Sequence, residues 1–238
     1  MRCIVFVVAL ALSLTPASAK DELANVKSVA IISAIGDCFR LQRVDSSPFA
    51  MVSEDLECAP IDGIDEAVSD QITSALAPRF AVKTVRYDRN AFSRMPFLLA
   101  TGSGEADIEK PLKALTNPGV DAYVVVQKLR LGNVVSDVDV QSDGIGIARE
   151  SSMFGATNKM FALFTIRIVD ARTFKTLADH PVKKPGSFLG LFPIYDTDTW
   201  ARWAREMTPE QKAAAKAQMT DILRNCIADS LKKMELTQ

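Results

Sequence analysis

The chain has 238 residues, with 28 basic against 29 acidic side chains and a single histidine, for a net charge of −1. That balance points to neither nucleic acid nor a strongly anionic surface as partner, and one histidine excludes a zinc site built from several histidines. With 48% hydrophobic residues, a length of this order supplies one sizeable core.

The first 19 residues read as a cleavable signal peptide. Met1 and Arg2 give a short positive start, Ile4 to Leu14 an apolar run broken only by Ser13, and Ala17-Ser18-Ala19 the small-x-small cleavage pattern. The run is shorter than the ~20 apolar residues a membrane span needs. The rival reading is an uncleaved N-terminal anchor. Lys20 stands where a lipoprotein needs cysteine, and Cys3 lies ahead of the apolar run. Cleavage after Ala19 leaves residues 20–238 as one α/β domain, periplasmic or secreted, with no stable membrane insertion. Loss of Arg2 takes the net charge to −2. The remaining cysteines are Cys38, Cys58 and Cys226, an odd set for an oxidising compartment. A Cys38–Cys58 bridge closes a loop of about 20 residues; the alternative is two free thiols.

Residues 26–35 (VKSVAIISAI) form a β-branched run that reads as a buried central strand ending at Gly36-Asp37. Phe39 to Val44 alternates and reads as a second strand, paired to the first as a hairpin. Ser46 to Pro60 reads as a polar loop. Asp62, with Asp65 three residues on, reads as the cap of a helix whose stripe is Ile64, Val68, Ile72, Ala75 and Leu76, stopped by Pro78. A strand over Phe80–Tyr87 and a short helix over Ala106–Leu115, with Pro111 in its first turn, follow. Asp121 to Leu131 is the clearest strand. Ile145–Arg149 is a short strand. Met160–Asp170 alternates, with Phe161, Leu163, Thr165, Arg167 and Val169 on one side, and Phe174–His180 returns from it as a hairpin. Thr208-Pro209-Glu210-Gln211 opens a last helix with a capping box. Its stripe is Met219, Ile222, Leu223, Cys226, Ile227, Leu231 and Met234, which makes Cys226 a small buried hydrophobe. The order ββαβαβ, then a β-hairpin and a C-terminal helix, predicts α/β (α+β): a single mixed sheet with helices packed on it.

Three segments carry a resemblance: VAIISAIGD; IDEAVSDQITSALAPRFAVKTVRYD; and GVDAYVVVQKLRL with the later FTIRIVDARTFKTL. In their order the chain resembles the α/β fold of CsgG-like curli-secretion lipoproteins, the penicillin-binding-protein activator LpoB and the N-terminal domain of TolB. It departs from them in having no lipobox, no evident membrane-crossing hairpin and no following propeller. It is also similar to exported proteins of proteobacteria, from which no activity follows. The resemblance implies a domain that binds envelope proteins rather than a catalyst, and fold analogy alone assigns nothing further.

Asp139-Val140-Gln141-Ser142-Asp143-Gly144, followed by Glu150, matches the spacing of a calcium loop except for Gln141. Asp139, Asp143 and Glu150 are therefore candidate calcium ligands; the plainer reading is a polar loop between strands. His180 would need a serine or cysteine and an acid brought to it, and no G-x-S-x-G elbow is present. A structural role at a strand end is the simpler reading. Asp107/Glu109 and Asp196/Asp198 have spacing but no supporting context. Gly102-Ser103-Gly104 and Gly144-Ile145-Gly146 fit no phosphate-binding fingerprint. The apolar stretch Gly186–Tyr195 stands out, because Phe188, Leu189, Leu191, Phe192, Ile194 and Tyr195 are costly to leave in water. These residues are the candidate contact for an envelope protein or a second copy of the chain. The alternative is that they fold back with Trp200 and Trp203 to complete the core. The leading expectation is a non-enzymatic binding or assembly module. A periplasmic enzyme such as a hydrolase, or a calcium or small-ligand module at Asp139–Glu150, are the other readings.

Overall fold

In a computed structural model of the chain, the described residues are 23–36, 38–47, 50–92, 98–99, 102–103, 108–115, 119–132, 141–152, 155–187, 192–200 and 206–237. The signal peptide expected over 1–19 lies outside them. Ser28–Ala34 forms β1, whose side chains alternate between two apolar layers, Val29 and Ile31 on one side and Ala30, Ile32 and Ala34 on the other. A strand buried on both faces sits inside a sheet. β1 accordingly pairs in parallel with β4 (Ala81–Lys83) and with β7 (Ala122–Lys128). The expected strand over 80–87 shrinks to those three residues of β4.

β10 (Gly155–Asp170) is the spine. Residues 164–170 pair antiparallel with β7, and residues 155–163 pair antiparallel with β9 (Gln141–Ser152). Leu129 N donates to Leu163 O, while Leu163 also stands opposite Gly144, so β7 and β9 lie end to end along one edge of β10. Beyond β9 come β2 (Cys38–Ser47), in parallel, and β3 (Ala50–Pro60), antiparallel to β2. The order is β3-β2-β9-β10-β7-β1-β4, one mixed sheet. β11 (Thr176–Pro181) and β12 (Ile194–Asp196) pair with β10, and β8 (Arg130–Gly132) pairs with the start of β9. β5 (Leu98–Leu99) and β6 (Gly102–Ser103) make a separate small ladder.

Two expectations are corrected here. β2 does not fold back on β1, because its ladder partners are β9 and β3. Residues 50–60, expected as loop, are the strand β3. Pro60 is tolerated because it occupies the last position of that strand, where a missing N–H costs least.

α1 (Ile64–Leu76) and α3 (Pro209–Lys233) cover one sheet face. Ile64, Val68, Ile72 and Leu76 of α1 meet Met219, Leu223, Cys226 and Ile227 of α3 over Ile31, Val124, Phe164 and Ile166. The expected stripes are both buried; Ala75 and Met234 are half-buried at their margins. The capping box is present: Gln211 N donates to Thr208 Oγ1 (3.2 Å) and Thr208 N to Gln211 Oε1 (2.9 Å). α1 differs at its start. Gly63, not Asp62, is the N-cap and offers no side chain, which frees Asp65 for another task. On the opposite face, α2 (Glu109–Lys113) and the 3₁₀ turn Arg89–Phe92 bring Leu112 and Phe92 onto Ile32, Tyr123 and Val125.

Cys38 and Cys58 are disulfide-bonded across the β2–β3 ladder, with their Cα atoms 5.6 Å apart and 20 positions between them in sequence. A loop of that size gives about 3 kcal/mol by chain entropy. Reduction, or a Cys38→Ser/Cys58→Ser variant, is therefore expected to lower Tm by about 6–12 °C in calorimetry. A Tm unmoved by dithiothreitol would show that the bridge constrains nothing.

Candidate functional site

The apolar stretch divides at the limit of what is described: Phe188, Leu189 and Leu191 lie outside the described residues. Phe192 and Ile194 are half-buried against Leu129, Phe161 and Leu163. The loop expected there ends as β12, whose Tyr195 stands opposite Met160 and whose Asp196 stands opposite Lys159. Pro193 O accepts from Ala162 N at 3.0 Å, which extends the pairing. Tyr195 and Trp200 pack half-buried against the main core, and Tyr195 Oη lies 3.9 Å from Cys226 Sγ. Part of this stretch thus folds back onto the sheet beside Trp200, while Trp203, the other residue of the alternative reading, lies outside the described residues.

What remains exposed has a distinct chemistry. Lys183 Nζ stands 3.4 Å from the centroid of the Phe192 ring, and Lys184 Nζ stands 4.5 Å from that of Tyr195. An ammonium over a ring face is held by the ring quadrupole. Burial pulls the Lys183 ammonium below its ordinary pKa and pushes the Tyr195 phenol up. Lys184 also donates to Ile194 O at 3.4 Å, and exposed Asp196 pairs with Lys159. Among the described residues, the side of β12 away from β10 has no strand partner. The result is a ledge along β12, an edge with no strand partner among the described residues, flanked on one sheet face by Tyr195 and Lys184 and on the other by Phe192 and Lys183.

The three candidate calcium ligands fall differently. Asp139 lies outside the described residues. Asp143 is buried, and Arg40 Nη1 donates to both of its oxygens, at 3.0 and 2.8 Å. Arg130 Nη2 approaches the same carboxylate at 3.6 Å. Glu150 stands seven positions further along β9, opposite Val44 and Thr157. The expected loop is therefore a strand from Gln141 onward, with its backbone committed to ladders. A calcium loop instead wraps its carbonyls and carboxylates around the ion. Asp143 has cations as neighbours, and among the described residues no group of three acidic, histidine or cysteine side chains is placed to hold a metal.

His180 sits half-buried on β11 opposite Ile166. Burial holds its pKa below the ordinary value; Lys233 and Lys183 add to that, while Asp229 and Asp179 oppose it. His180 Nε2 and the buried Ser230 Oγ both lack a hydrogen-bond partner, so neither is bonded to the other. Burial also pushes the Cys226 thiol up to about 11, which keeps it protonated and unreactive at neutral pH. Asp107 lies outside the described residues, and Glu109 is paired with Lys113.

Two polar clusters escaped the sequence reading. Asp65, in the first turn of α1, accepts from Ser33 Oγ (2.6 Å), Ile35 N (2.9 Å) and Gly36 N (3.0 Å), with Arg89 Nη1 at 3.8 Å. Tyr87 Oη accepts from Ser33 N and donates to Ser33 O beside it. On the other sheet face Arg167, only 2% exposed, pairs with Asp179 at 3.0 Å, and Thr165 Oγ1 donates to Asp179 at 2.5 Å. Arg167 had one available signal: it is the only charged side chain of β10 from Met160 to Val169, a run that is apolar but for Thr165 and Arg167. Set against known proteins, the chain matches no protein-family model and no curated protein.

Proposed function

We propose that this is an exported, non-enzymatic protein that binds another protein of the cell envelope, or a second copy of itself, through the β12 ledge. The observation that carries the reading is the edge of β12, which has no strand partner among the described residues and is flanked by two half-buried rings, Tyr195 on one sheet face and Phe192 on the other, each under a lysine ammonium. Aromatic anchors and strand edges are the features that partner chains use most. The Cys38–Cys58 bridge supports an oxidising compartment. The resemblance to envelope-protein binders points the same way.

The test is in-cell crosslinking of a C-terminally tagged chain, followed by mass spectrometry of what is captured. A reproducible partner is expected, and Phe188→Ser/Phe192→Ser should reduce its recovery about 30-fold while circular dichroism stays native, the two rings together worth ~2 kcal/mol. Recovery of monomer alone would overturn the reading and send the search to a ligand and activity screen.

A further inference from the structure

We infer a second site, unrelated to the ledge: a surface site for a phosphate-type oxyanion where β7 and β9 part along the edge of β10. Five segments end or turn there. Gly36 lies just beyond β1, Lys128 closes β7, Arg130 lies on β8, Asp143 and Gly144 stand near the start of β9, and Arg40 comes from β2.

Topology marks the place. The strands β4-β1-β7 are, in chain order, second-first-third, so the chain leaves β1 to one side and returns to the other. Open α/β sheets take their ligands beyond the carboxyl ends of the strands at such a reversal. Here that point lies between the ends of β1 and β7, where Gly36 and Lys128 stand.

Lys128 is positioned there by two glycines. Its Cε and Nζ lie 3.2 Å from where a Cβ on Gly36 would be, and its Cδ and Cγ lie 3.1 and 3.3 Å from where one on Gly144 would be. Both glycines have positive φ, 89° and 62°. The lysine stem therefore runs over two backbone segments, Gly36 and Gly144, whose lack of side chains leaves it room and brings it to the ends of β1 and β7. Among the described residues Lys128 has no carboxylate partner.

Among the described residues the local charges leave cations in excess, Lys128, Arg130 and Arg40 against Asp143 and Asp65, and the Asp65 carboxylate is already taken up by Ser33 and the amides of Ile35 and Gly36. Arg40 satisfies both oxygens of Asp143, and Arg130 reaches that same carboxylate only at 3.6 Å with its side chain 41% exposed. Asp143 thus orients guanidinium groups without using up Arg130 or Lys128. A fork and a point charge converging from different strands suit a tetrahedral dianion better than a planar carboxylate.

The probe is inorganic phosphate on the purified full chain, against chloride and acetate at matched ionic strength. At ten times Kd, phosphate is expected to raise Tm by about 4 °C and to broaden its own ³¹P resonance. Lys128→Gln and Arg130→Gln should each weaken binding at least tenfold, whereas Lys113→Gln, the same charge loss on the distant α2, should not. Tighter binding of glycerol phosphate than of free phosphate would identify the natural source as a phosphomonoester, and the reverse order would identify it as the free ion. Equal Tm in phosphate and chloride, equal effects of acetate and phosphate, or full binding by Lys128→Gln with native circular dichroism would each overturn the site.

Discussion

Asp65→Ala is expected to lower the unfolding free energy by about 4 kcal/mol. Three donors converge on that buried carboxylate, the hydroxyl of Ser33 and the amides of Ile35 and Gly36. A buried donor left without its acceptor costs ~1–3 kcal/mol, more where the lost acceptor was charged. Alanine orphans all three at once. The carboxylate also joins α1 to the end of β1, so the variant loosens the helix that covers the core. In urea the midpoint should fall while the slope holds, since the denatured state is untouched. The neighbouring Glu66→Ala, which removes only an exposed ion pair to Arg89, should cost under about 1 kcal/mol. An Asp65→Ala midpoint within experimental error of wild type would refute the idea that this carboxylate holds helix to strand.

The second large effect is an asymmetry. Asp179→Ala should cost about 3–4 kcal/mol, because it strands a guanidinium that is 2% exposed and whose Nε already lacks a partner. Arg167→Met should cost about 1 kcal/mol or less. Asp179 is 17% exposed, keeps its bond from Thr165 and retains access to water. The methionine meanwhile replaces a charge in a buried row whose other members are Phe161, Leu163, Thr165 and Val169. Adding Arg167→Met to Asp179→Ala should then recover most of the loss. Chemical denaturation of the three variants decides it, and equal costs for the two single changes would mean the pair is held by contacts other than charge.

What the sequence made legible was whatever is coded locally. β1, β7 and β10 announce themselves by β-branched or alternating runs, and the α1 and α3 stripes by helical spacing. The start of α3 is set by four consecutive residues, Thr208 to Gln211. The position of β2 was not legible, because its partner β9 lies about a hundred residues later and nothing in Phe39–Val44 names it. The same holds for the polar clusters. The period of β10 places Arg167 on a face, but burial of that face depends on neighbours from other elements. Asp143 and Glu150 have calcium-loop spacing, yet spacing carries that meaning only in a loop. The cations that meet Asp143 come from β2 and β8, and the spacing has no means of showing them.

The long strand β10 also orders events in time. Arg40 waits for Gly146 and Val29 for Ala122, so the first strands have almost no partners when they are made. Only the β2–β3 hairpin and the β1–α1–β4 unit can close early. Contacts of such separation pay loop entropy before they yield any stabilisation, which places folding in the slow, millisecond-to-second class. Residues 155–170 complete the ladder for both halves at once. Until they arrive, the β1–α1–β4 unit and the β2–β3 hairpin have no strand to join them.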